Sequence, residues 1–439
     1  MYLRLVFLYI VKCICFSHDK YAKLKQHAIS NGAFLSNLIT IDSSPSPHFI
    51  STSEIPSNTT ILSIPYSLFI NTNTTFPFLS KLQKRLYTSL SSFFLNNTSS
   101  SPSSSFASFP SGVTNLPLRV KEIFLSYVQS TSVPHHKSKL FKRFKHFFNL
   151  HSRSVLDKYP IYYTTAQMQL LVNTSFGSQI ELTKQSLEDE AITIKGLLNS
   201  SSSSFSYEEY YKYRVLTIAK GVYVNDDIHL VPFVDLFMTH PTNYKLQYEY
   251  DNETQTLNVI TVKDVARGEH VVLQGYEVSN LYALLFYGKT FGKEGDYLEK
   301  YLIPVVHKLW VIEREGDEEG EGAEEEEGDV FYEMVDLARD DFHVEAVEKY
   351  KRLCKVIGKE VNDLNAYTLM HENFNMFMED YSYVKDYMYD KEFFTKDDAS
   401  NVRRVVDAEK KLLRVRLDYV EQMLLKLSRR KRNSVNEDL

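Results

Sequence analysis

The sequence predicts an α+β unit of short strands that is interrupted by a helical insertion and followed by an all-α C-terminal domain. Three observations predict this class. Short extended segments lie within residues 34–70 and return within 229–273. The chain between them has helical spacing and contains serine-rich tracts at 98–111 and 200–204. After residue 330 the apolar residues recur with helical periodicity, so strands and helices are grouped apart, as in α+β proteins.

These patterns divide the chain into five expected parts. They are an apolar leader or signal peptide at 1–18, an α+β domain at 19–310 with a helical, serine-rich insertion at about 77–210, an acidic linker at 311–330, an all-α domain at 331–428, and a basic, polar tail at 429–439.

The first strands follow a short helix. Helical spacing covers residues 20–27, and Asn31-Gly32 is a turn signal. After this turn the chain is rich in β-branched and aromatic residues. The extended segments are 34–41, 48–51, 60–65 and 66–70.

The insertion contains two clear helical patterns. Residues 139–150 form one helical segment, which places four basic residues among Phe141, Phe144 and Phe147. Residues 165–187 have the same helical periodicity. We therefore expect a helical insertion.

Strand signals return at residues 229–237 and continue as a hairpin. Residues 245–250 alternate in polarity, 251–255 contain turn formers, and 256–262 alternate again. A third strand is predicted at 271–273, followed by a short apolar helix at 280–287.

The C-terminal part is expected to be helical, and the charge of the chain is unevenly distributed. In residues 401–427 the apolar side chains keep helical spacing over seven turns, which predicts one long helix with a buried face. The whole chain carries −6, but residues 313–329 carry −10, so the rest carries +4. The overall acidity argues against a dedicated nucleic-acid binder. The basic run 429–432 is interpreted as a solvated end or a nuclear targeting signal.

Cysteine is scarce. Cys13, Cys15 and Cys354 cannot form a disulfide framework, and their spacing is not that of a zinc site. We therefore expect neither a metal nor a requirement for an oxidising compartment.

The N-terminus allows two interpretations. Residues 1–17 combine an early positive charge, a short apolar run and a small residue at the end, as in a secretory signal, although Lys12 interrupts the apolar run. An irregular leader remains the alternative. No stretch reaches the roughly eighteen apolar residues of a membrane span. We expect the cytoplasm or nucleus, or the secretory pathway if residues 1–17 are a cleaved signal.

Four stretches, taken in order, resemble a known family. They are 31–35 with 53–55 and 61–68; 170–175; 230–236; and 267–271 continuing through Ser279-Asn280 to Tyr287-Gly288. Together they resemble the SET-domain protein methyltransferases of the RuBisCO large-subunit lysine methyltransferase type. The C-terminal helices resemble the substrate-binding helical domain of that family. The resemblance covers nearly the whole chain after residue 19.

The resemblance implies transfer of a methyl group from S-adenosylmethionine to a protein substrate. The acceptor is usually a lysine amine and, in one branch of the family, a histidine nitrogen. The chemistry needs a narrow channel in which a neutral nitrogen lines up behind the methyl group, and it needs no metal. Burial favours the neutral amine. We expect a monomer.

The resemblance also implies roles for individual residues. Tyr276 is the expected catalytic tyrosine and a cofactor contact, His48, Phe49, Thr239 and His240 are expected cofactor contacts, and Tyr223 and Tyr287 are expected to line the substrate channel.

Several positions differ from the family's pattern. Ser46-Pro47-His48 replaces a Gly-x-Gly loop, Gly275-Tyr276 reverses a Tyr-Gly pair, and Lys220-Gly221 replaces a Ser-Arg pair. Thr239-His240 matches the family's Asn-His pair only with one extra residue, and Tyr276 reaches the channel only through a bulge at Gly275. In the alternative reading, Tyr276 caps its strand, Tyr287 is a core residue, and the chain is a catalytically degenerate SET-domain protein acting as a protein-binding module.

Overall fold

The structure is a computed structural model in which part of the chain is described. The described residues are 21–42, 48–97, 116–132, 138–148, 159–172, 174–198, 205–225, 227–276, 278–292, 302–305, 333–387 and 394–437. The expected leader, both serine-rich tracts, Ser46-Pro47 and the acidic linker lie outside these residues.

The described chain forms two compact units, each assembled from separate stretches. The first takes in the described parts of residues 1–162, 182–278 and 285–294, and the second those of 163–181, 279–284 and 295–439. The linear domain boundaries expected from the sequence remain a prediction.

The elements are numbered in chain order. The strands are β1 (Phe34–Leu35), β2 (Ile39–Asp42), β3 (His48–Ser51), β4 (Thr60–Pro65), β5 (Val222–Val224), β6 (Asp227–His229), β7 (Met238–His240), β8 (Leu246–Asp251), β9 (Thr256–Thr261), β10 (Val272–Gln274), β11 (Leu302–Val305) and β12 (Glu333–Asp336). The helices are α1 (21–30), α2 (Thr72–Thr75), α3 (Lys81–Asn97), α4 (Leu116–Ser132), α5 (Lys139–Phe148), α6 (Thr165–Leu171), α7 (Ser175–Leu197), α8 (Tyr207–Lys220), α9 (Asn280–Tyr287), α10 (Phe342–Val356), α11 (Asp363–Tyr387) and α12 (Lys396–Glu437).

A six-stranded sheet organises the first unit, in the order β1-β4-β9-β8-β10-β7. Most neighbours are antiparallel, whereas β10 runs parallel to both β7 and β8. Buried residues alternate along β9, and Leu257 and Val259 are fully inaccessible. This alternation is typical of a sheet with one face on the core. Two smaller antiparallel pairs, β2–β3 and β5–β6, complete the strands of this unit.

The predicted hairpin is confirmed. Strands β8 and β9 pair antiparallel from Leu246–Thr261 to Asp251–Thr256. The Asp251 carboxylate closes the turn because it accepts hydrogen bonds from the backbone amide of Glu253 at 2.8 Å and from the Thr254 hydroxyl at 2.7 Å.

The strand expected at 229–237 is not continuous. Pro232 has no amide hydrogen to donate, and Phe233 takes a φ of 69° while its side chain stays buried. A short 3-10 helix, Val234–Leu236, follows before β7 begins. The chain therefore changes direction here, and β7 pairs in parallel with β10.

The insertion is helical, as predicted. In α5, Phe141, Phe144 and Phe147 are buried while Lys142 and Lys145 are exposed, so this helix is amphipathic. Helix α4 packs against α3 and α8.

A buried ion cluster joins helices α4 and α7 of the insertion to α8, which follows it. Arg214 of α8 is fully inaccessible and holds Glu190 of α7 with two bonds, of 3.0 and 3.4 Å. It also donates to Glu122 of α4 at 3.2 Å. Arg119 and the Tyr210 hydroxyl bind Glu190 as well, at 3.3 and 2.9 Å. Two guanidinium groups thus face two carboxylates in the interior, and neither charge type is left in excess.

The second unit is mainly helical. Helix α12 buries the apolar positions expected from its spacing, among them Val402, Val405, Leu413 and Leu417. The expectation that everything after the acidic linker is helical is wrong at β12, which pairs antiparallel with β11. The partner strand lies before the linker, so no local pattern revealed the pair.

A buried carboxyl lies in the core of the second unit. Glu409 of α12 is fully inaccessible and accepts a hydrogen bond from the Tyr381 hydroxyl at 2.8 Å, while that hydroxyl accepts one from the Ser175 amide at 3.1 Å. Burial raises the pKa of Glu409 to about 8.

The start of α7 requires a glycine. A Cβ on Gly177 would lie 1.9 Å from the Leu171 carbonyl oxygen, so only glycine fits there.

Two absences among the described residues bear on function. Within them, no helix is both long and apolar enough to cross a membrane. The same residues contain no group of three or more histidine, cysteine and acidic side chains that could hold a metal ion.

Replacing Glu190 with glutamine should destabilise the protein by about 3 kcal/mol, because Arg214 and Arg119 then share a single buried carboxylate. Urea unfolding measures the change in the free energy of unfolding. Glu188→Gln, on the exposed side of the same helix, is the matched control and should change stability by less than about 0.5 kcal/mol. Equal effects of the two substitutions would contradict the role of the cluster.

Stability should fall as pH rises between the ordinary glutamate pKa near 4.5 and about 8, because folded Glu409 keeps a proton that the unfolded chain releases. The expected loss is roughly 1.4 kcal/mol for each unit by which the pKa is raised. Urea unfolding from pH 4.5 to 8.5 tests this. Glu409→Gln should flatten this part of the pH profile, and an unchanged profile would rule the effect out.

Candidate active site

A cavity of about 210 Å³ lies within the first unit. Its wall combines the C-terminal end of α8, the segment from Val234 through β7, and the end of β10. Apolar side chains such as Val234, Leu236 and Leu273 form part of it. The larger side chains that bring chemical groups to the cavity are His48, Lys220, Tyr248, Tyr276, Tyr287 and Lys289.

Tyr276 lies directly after β10, at the edge of the parallel pair β7–β10. The register of this pair is regular from Met238–Val272 to His240–Gln274, and the Gly275 amide then donates to the His240 carbonyl at 3.0 Å. The ladder shows no register shift, so Tyr276 lines the cavity without the expected bulge. A Cβ on Gly275 would lie 3.3 Å from that of Thr239, tighter than most side-chain contacts. Glycine therefore lets the end of β10 approach β7 closely.

The Tyr276 hydroxyl is held at two points. It lies 3.1 Å from the Tyr248 hydroxyl, and it accepts a hydrogen bond from the Tyr223 backbone amide at 3.3 Å. The Tyr223 ring meets the Tyr276 ring edge-on, with centroids 5.7 Å apart. These contacts fix both the ring and the direction of the hydroxyl.

The phenol of Tyr276 keeps its proton throughout the physiological range. Removal from water raises its pKa first, and the neighbouring Tyr248 raises it further. The pKa of Tyr287 is also raised, mainly by burial and then by Tyr248 and Glu122. Yet 40% of the surface of Tyr276 is exposed, so the residue remains accessible. The cavity therefore presents neutral hydroxyl groups that donate or accept hydrogen bonds.

Sequence reasoning missed Tyr248. The alternation of β8 puts Leu246, Tyr248 and Tyr250 on one face, and Leu246 is fully buried. That pattern contained a usable signal, since Tyr248 lies on the inward face of a predicted strand. The pairing of β8 with β10 brings it beside Tyr276.

The two expected channel tyrosines differ in position. Tyr287, at the end of α9, lines the cavity. Tyr223 does not line the cavity, and its ring instead contacts that of Tyr276. The Tyr223 hydroxyl donates to Glu122 at 2.7 Å.

The expected cofactor contacts in β3 also differ. His48 lines the cavity, and its ring centroid lies 4.8 Å from that of His270. Phe49 points into the core, where it is 1% exposed and its ring packs 4.8 Å from that of Phe237. Phe49 thus holds the strand in place and does not line the cavity.

Of the predicted Thr239-His240 pair, only Thr239 lines the cavity. The His240 ring is engaged by backbone groups. Its Nδ1 accepts from the amides of Asn243 at 2.9 Å and Thr242 at 3.3 Å, which places the ring hydrogen on Nε2, and Nε2 donates to the Phe291 carbonyl at 3.2 Å. His240 therefore shapes the segment after β7.

Two lysine amines line the cavity. Lys220, where the family carries a Ser-Arg pair, donates to the Asp235 carbonyl at 2.9 Å, and burial lowers its pKa while Asp235 opposes that shift. The next residue, Gly221, must be glycine, because a Cβ there would lie 2.6 Å from both the Thr217 carbonyl oxygen and the Ile228 side chain. Lys289 donates to the carbonyl and hydroxyl of Thr239 at 2.8 and 3.2 Å.

The structure thus brings four of the seven predicted site residues to one cavity, whereas the others contact those four or the neighbouring core. The four are His48, Thr239, Tyr276 and Tyr287. Their functional roles remain predictions.

Comparisons with known proteins support the fold. No protein-family model matches the chain, and no curated protein does. Among solved structures, the chain is similar to the SET domain of LSMT bound to lysine and AdoHcy, with 13% identity, a TM-score of 0.55, and coverage of 94% of this chain and 93% of that one. It is also similar to Rubisco LSMT bound to AdoMet, with 13% identity, a TM-score of 0.55 and 93% of each chain covered. A third structure, Rubisco LSMT bound to sinefungin and monomethyllysine, has 14% identity and a TM-score of 0.52 over 94% of this chain and 93% of that one. At these identities the likeness establishes the fold, and the predicted α+β fold with a helical C-terminal region is confirmed.

Proposed function

We propose that the chain is an S-adenosylmethionine-dependent protein-lysine N-methyltransferase. One observation carries the proposal, namely the protonated hydroxyl of Tyr276 held beside that of Tyr248 at the edge of a cavity in a SET-like fold. The similar structures include complexes with AdoMet, with AdoHcy and lysine, and with monomethyllysine. We favour lysine over histidine as the acceptor for this reason.

The chain's own groups would prepare the acceptor amine. A lysine entering between Tyr248, Tyr276 and Tyr287 loses its surrounding water, which lowers its pKa and favours the neutral, nucleophilic form. The two hydroxyls then fix the direction of the nitrogen lone pair by hydrogen bonding. When bound, S-adenosylmethionine supplies a methyl group on a positively charged sulfur. The aromatic walls keep water away from that methyl group.

The lining of the cavity fits such a cofactor in chemical type. Apolar walls, the Thr239 hydroxyl and the amines of Lys220 and Lys289 suit a ligand that carries both an apolar ring and a carboxylate. We assign its binding to His48, Thr239 and Tyr276, with Phe49 and His240 holding the strands that present them. The volume of about 210 Å³ is below the ~300 Å³ at which small-molecule sites usually begin, so binding requires the lining to shift.

The alternative is a catalytically degenerate protein that binds a partner without transferring methyl groups. The amines of Lys220 and Lys289 favour it in part, because each already uses donors on oxygens of the cavity wall and only its other N–H groups could bind a cofactor carboxylate. The replacement of a Gly-x-Gly loop by Ser46-Pro47-His48 favours it too. In both cases we assign the C-terminal domain expected at 331–428 to binding of a protein partner, with the chain acting as a monomer in the cytoplasm or nucleus, or in the secretory pathway if residues 1–17 are a cleaved signal.

Titration calorimetry with S-adenosylmethionine should detect binding to the folded protein. In a methyl-transfer assay with tritiated cofactor and an array of lysine-containing peptides, Tyr276→Phe should lower kcat about 100-fold or more, because the hydroxyl that orients the amine is lost. The cofactor Kd should change much less.

Tyr250→Phe is the matched control, since Tyr250 lies two residues from Tyr248 on the same strand and its hydroxyl donates to Gln255, away from Tyr276. It should retain activity. If no cofactor binding is detected, the methyltransferase function is rejected and the catalytically degenerate binding protein remains as the explanation.

A further inference from the structure

Four tyrosines lie together at the candidate site, namely Tyr223, Tyr248, Tyr276 and Tyr287, and we call them the tyrosine cluster. The helical insertion contributes a direct contact to this cluster. Glu122 of α4 is 3% exposed and divides its two carboxylate oxygens between different partners. Oε2 accepts from Arg214 at 3.2 Å, and Oε1 accepts from the Tyr223 hydroxyl at 2.7 Å. One oxygen belongs to the ion cluster of the insertion, and the other reaches the candidate site.

Tyr223 transmits this contact to Tyr276 in two ways. Its ring packs edge-on against that of Tyr276, and its amide donates to the Tyr276 hydroxyl. The Tyr223 hydroxyl bond to Glu122 fixes the ring at its far end, so the ring cannot turn away without losing a charge-assisted hydrogen bond. Glu122 also acts on Tyr287, since its charge helps to raise the pKa of that phenol.

Arg214 makes Glu122 a rigid anchor. The guanidinium is fully buried, and two bonds to Glu190 fix its orientation. A carboxylate tied to such a group has little freedom, and small displacements of orienting groups have large effects on reaction rates. The ion cluster therefore has an asymmetry that a purely structural role does not need: Glu190 bonds Arg119, Tyr210 and Arg214 within the cluster, whereas Glu122 extends to the candidate site.

We propose that Glu122 is a positioning residue for Tyr276, acting through the Tyr223 side chain, so that the helical insertion sets the direction of the hydroxyl that orients the acceptor amine. This inference rests on the proposed methyltransferase function for its kinetic consequence. Its geometric consequence, the placement of the Tyr276 ring, does not depend on that function.

Tyr223→Phe is the sharpest test, because it removes the hydroxyl and leaves the Glu122–Arg214 pair intact. It should lower kcat about tenfold with little change in the cofactor Kd. Glu122→Gln should have a smaller effect, near threefold, since the amide oxygen turns to Arg214 while the amide nitrogen donates to the Tyr223 oxygen, which replaces the bond that the tyrosine donates in the wild type. The double variant should match Tyr223→Phe alone, because both changes act through one bond.

Tyr210→Phe is the matched control, because it also removes one tyrosine hydroxyl that donates to a carboxylate of the ion cluster, here Glu190, and it leaves the bonds of Arg214 to Glu190 and Glu122 in place. It should lower the melting temperature and leave kcat within twofold of wild type below that temperature. A kcat loss in Tyr210→Phe equal to that in Tyr223→Phe would overturn the proposal, since the effect would then be a general loss of packing. So would additive losses in the double variant.

A second measurement separates this proposal from the proposed function. With 3-fluorotyrosine placed at position 276, the 19F resonance should shift in Tyr223→Phe and, to a lesser degree, in Glu122→Gln, but not in Tyr210→Phe. If wild type transfers no methyl group while these shifts occur, the methyltransferase assignment fails and the positioning stands. If the resonance is unchanged in Tyr223→Phe, the positioning fails whatever the activity.

Discussion

The buried guanidinium of Arg214 is the constraint on which the arrangement of the first unit depends. A cation without access to water is tolerated only when carboxylates and hydrogen bonds surround it, and removal of one partner leaves a charge that nothing compensates. Glu122 and Glu190 supply the partners from α4 and α7, while Arg214 itself comes from α8. Helix α4 is thereby fixed in rotation and height against α7 and α8, which follow it after two intervening helices. Hydrophobic burial alone would tolerate small slides between them, but the bidentate geometry does not.

A second constraint fixes the strand side of the candidate site. Tyr276 and Thr239 meet because β10 and β7 pair in parallel, and Gly275 allows the close approach of the chain at the end of that pair. Parallel strands need a crossover connection, here the long excursion through β8 and β9. In the tyrosine cluster, strand pairing therefore fixes the backbone at Tyr276, and the ion cluster fixes the Tyr223 side chain through Glu122.

What the sequence could predict follows from the range of the interactions involved. The hairpin β8–β9 and helix α12 were predictable because alternation, turn residues and helical spacing are local signals. The strand expected at 229–237 was wrong, since the left-handed backbone at Phe233 depends on where the fold buries that ring. Strand β12 was missed because its partner lies on the other side of the acidic linker. At the site, Tyr276 and Tyr287 could be named from a resemblance, whereas Tyr248 and Glu122 join the cluster only through long-range pairing and packing.

The proposed function has two tasks, orientation of the acceptor amine and binding of the cofactor. The departures from the family's pattern affect the second task more than the first. Under the proposed function, orientation of the acceptor amine depends on Tyr248 and Tyr276, whose hydroxyls are held by each other and by the Tyr223 amide. Cofactor binding would depend on His48, Thr239 and the rest of the cavity wall, where Lys220 and Lys289 donate to backbone carbonyls. Tyr276 is assigned to both tasks, but the other residues of the two groups differ, so a change in the cavity wall need not disturb the pair of hydroxyls. The pair of hydroxyls therefore bears on the acceptor side of the proposed site, and measurement of cofactor affinity addresses the other side.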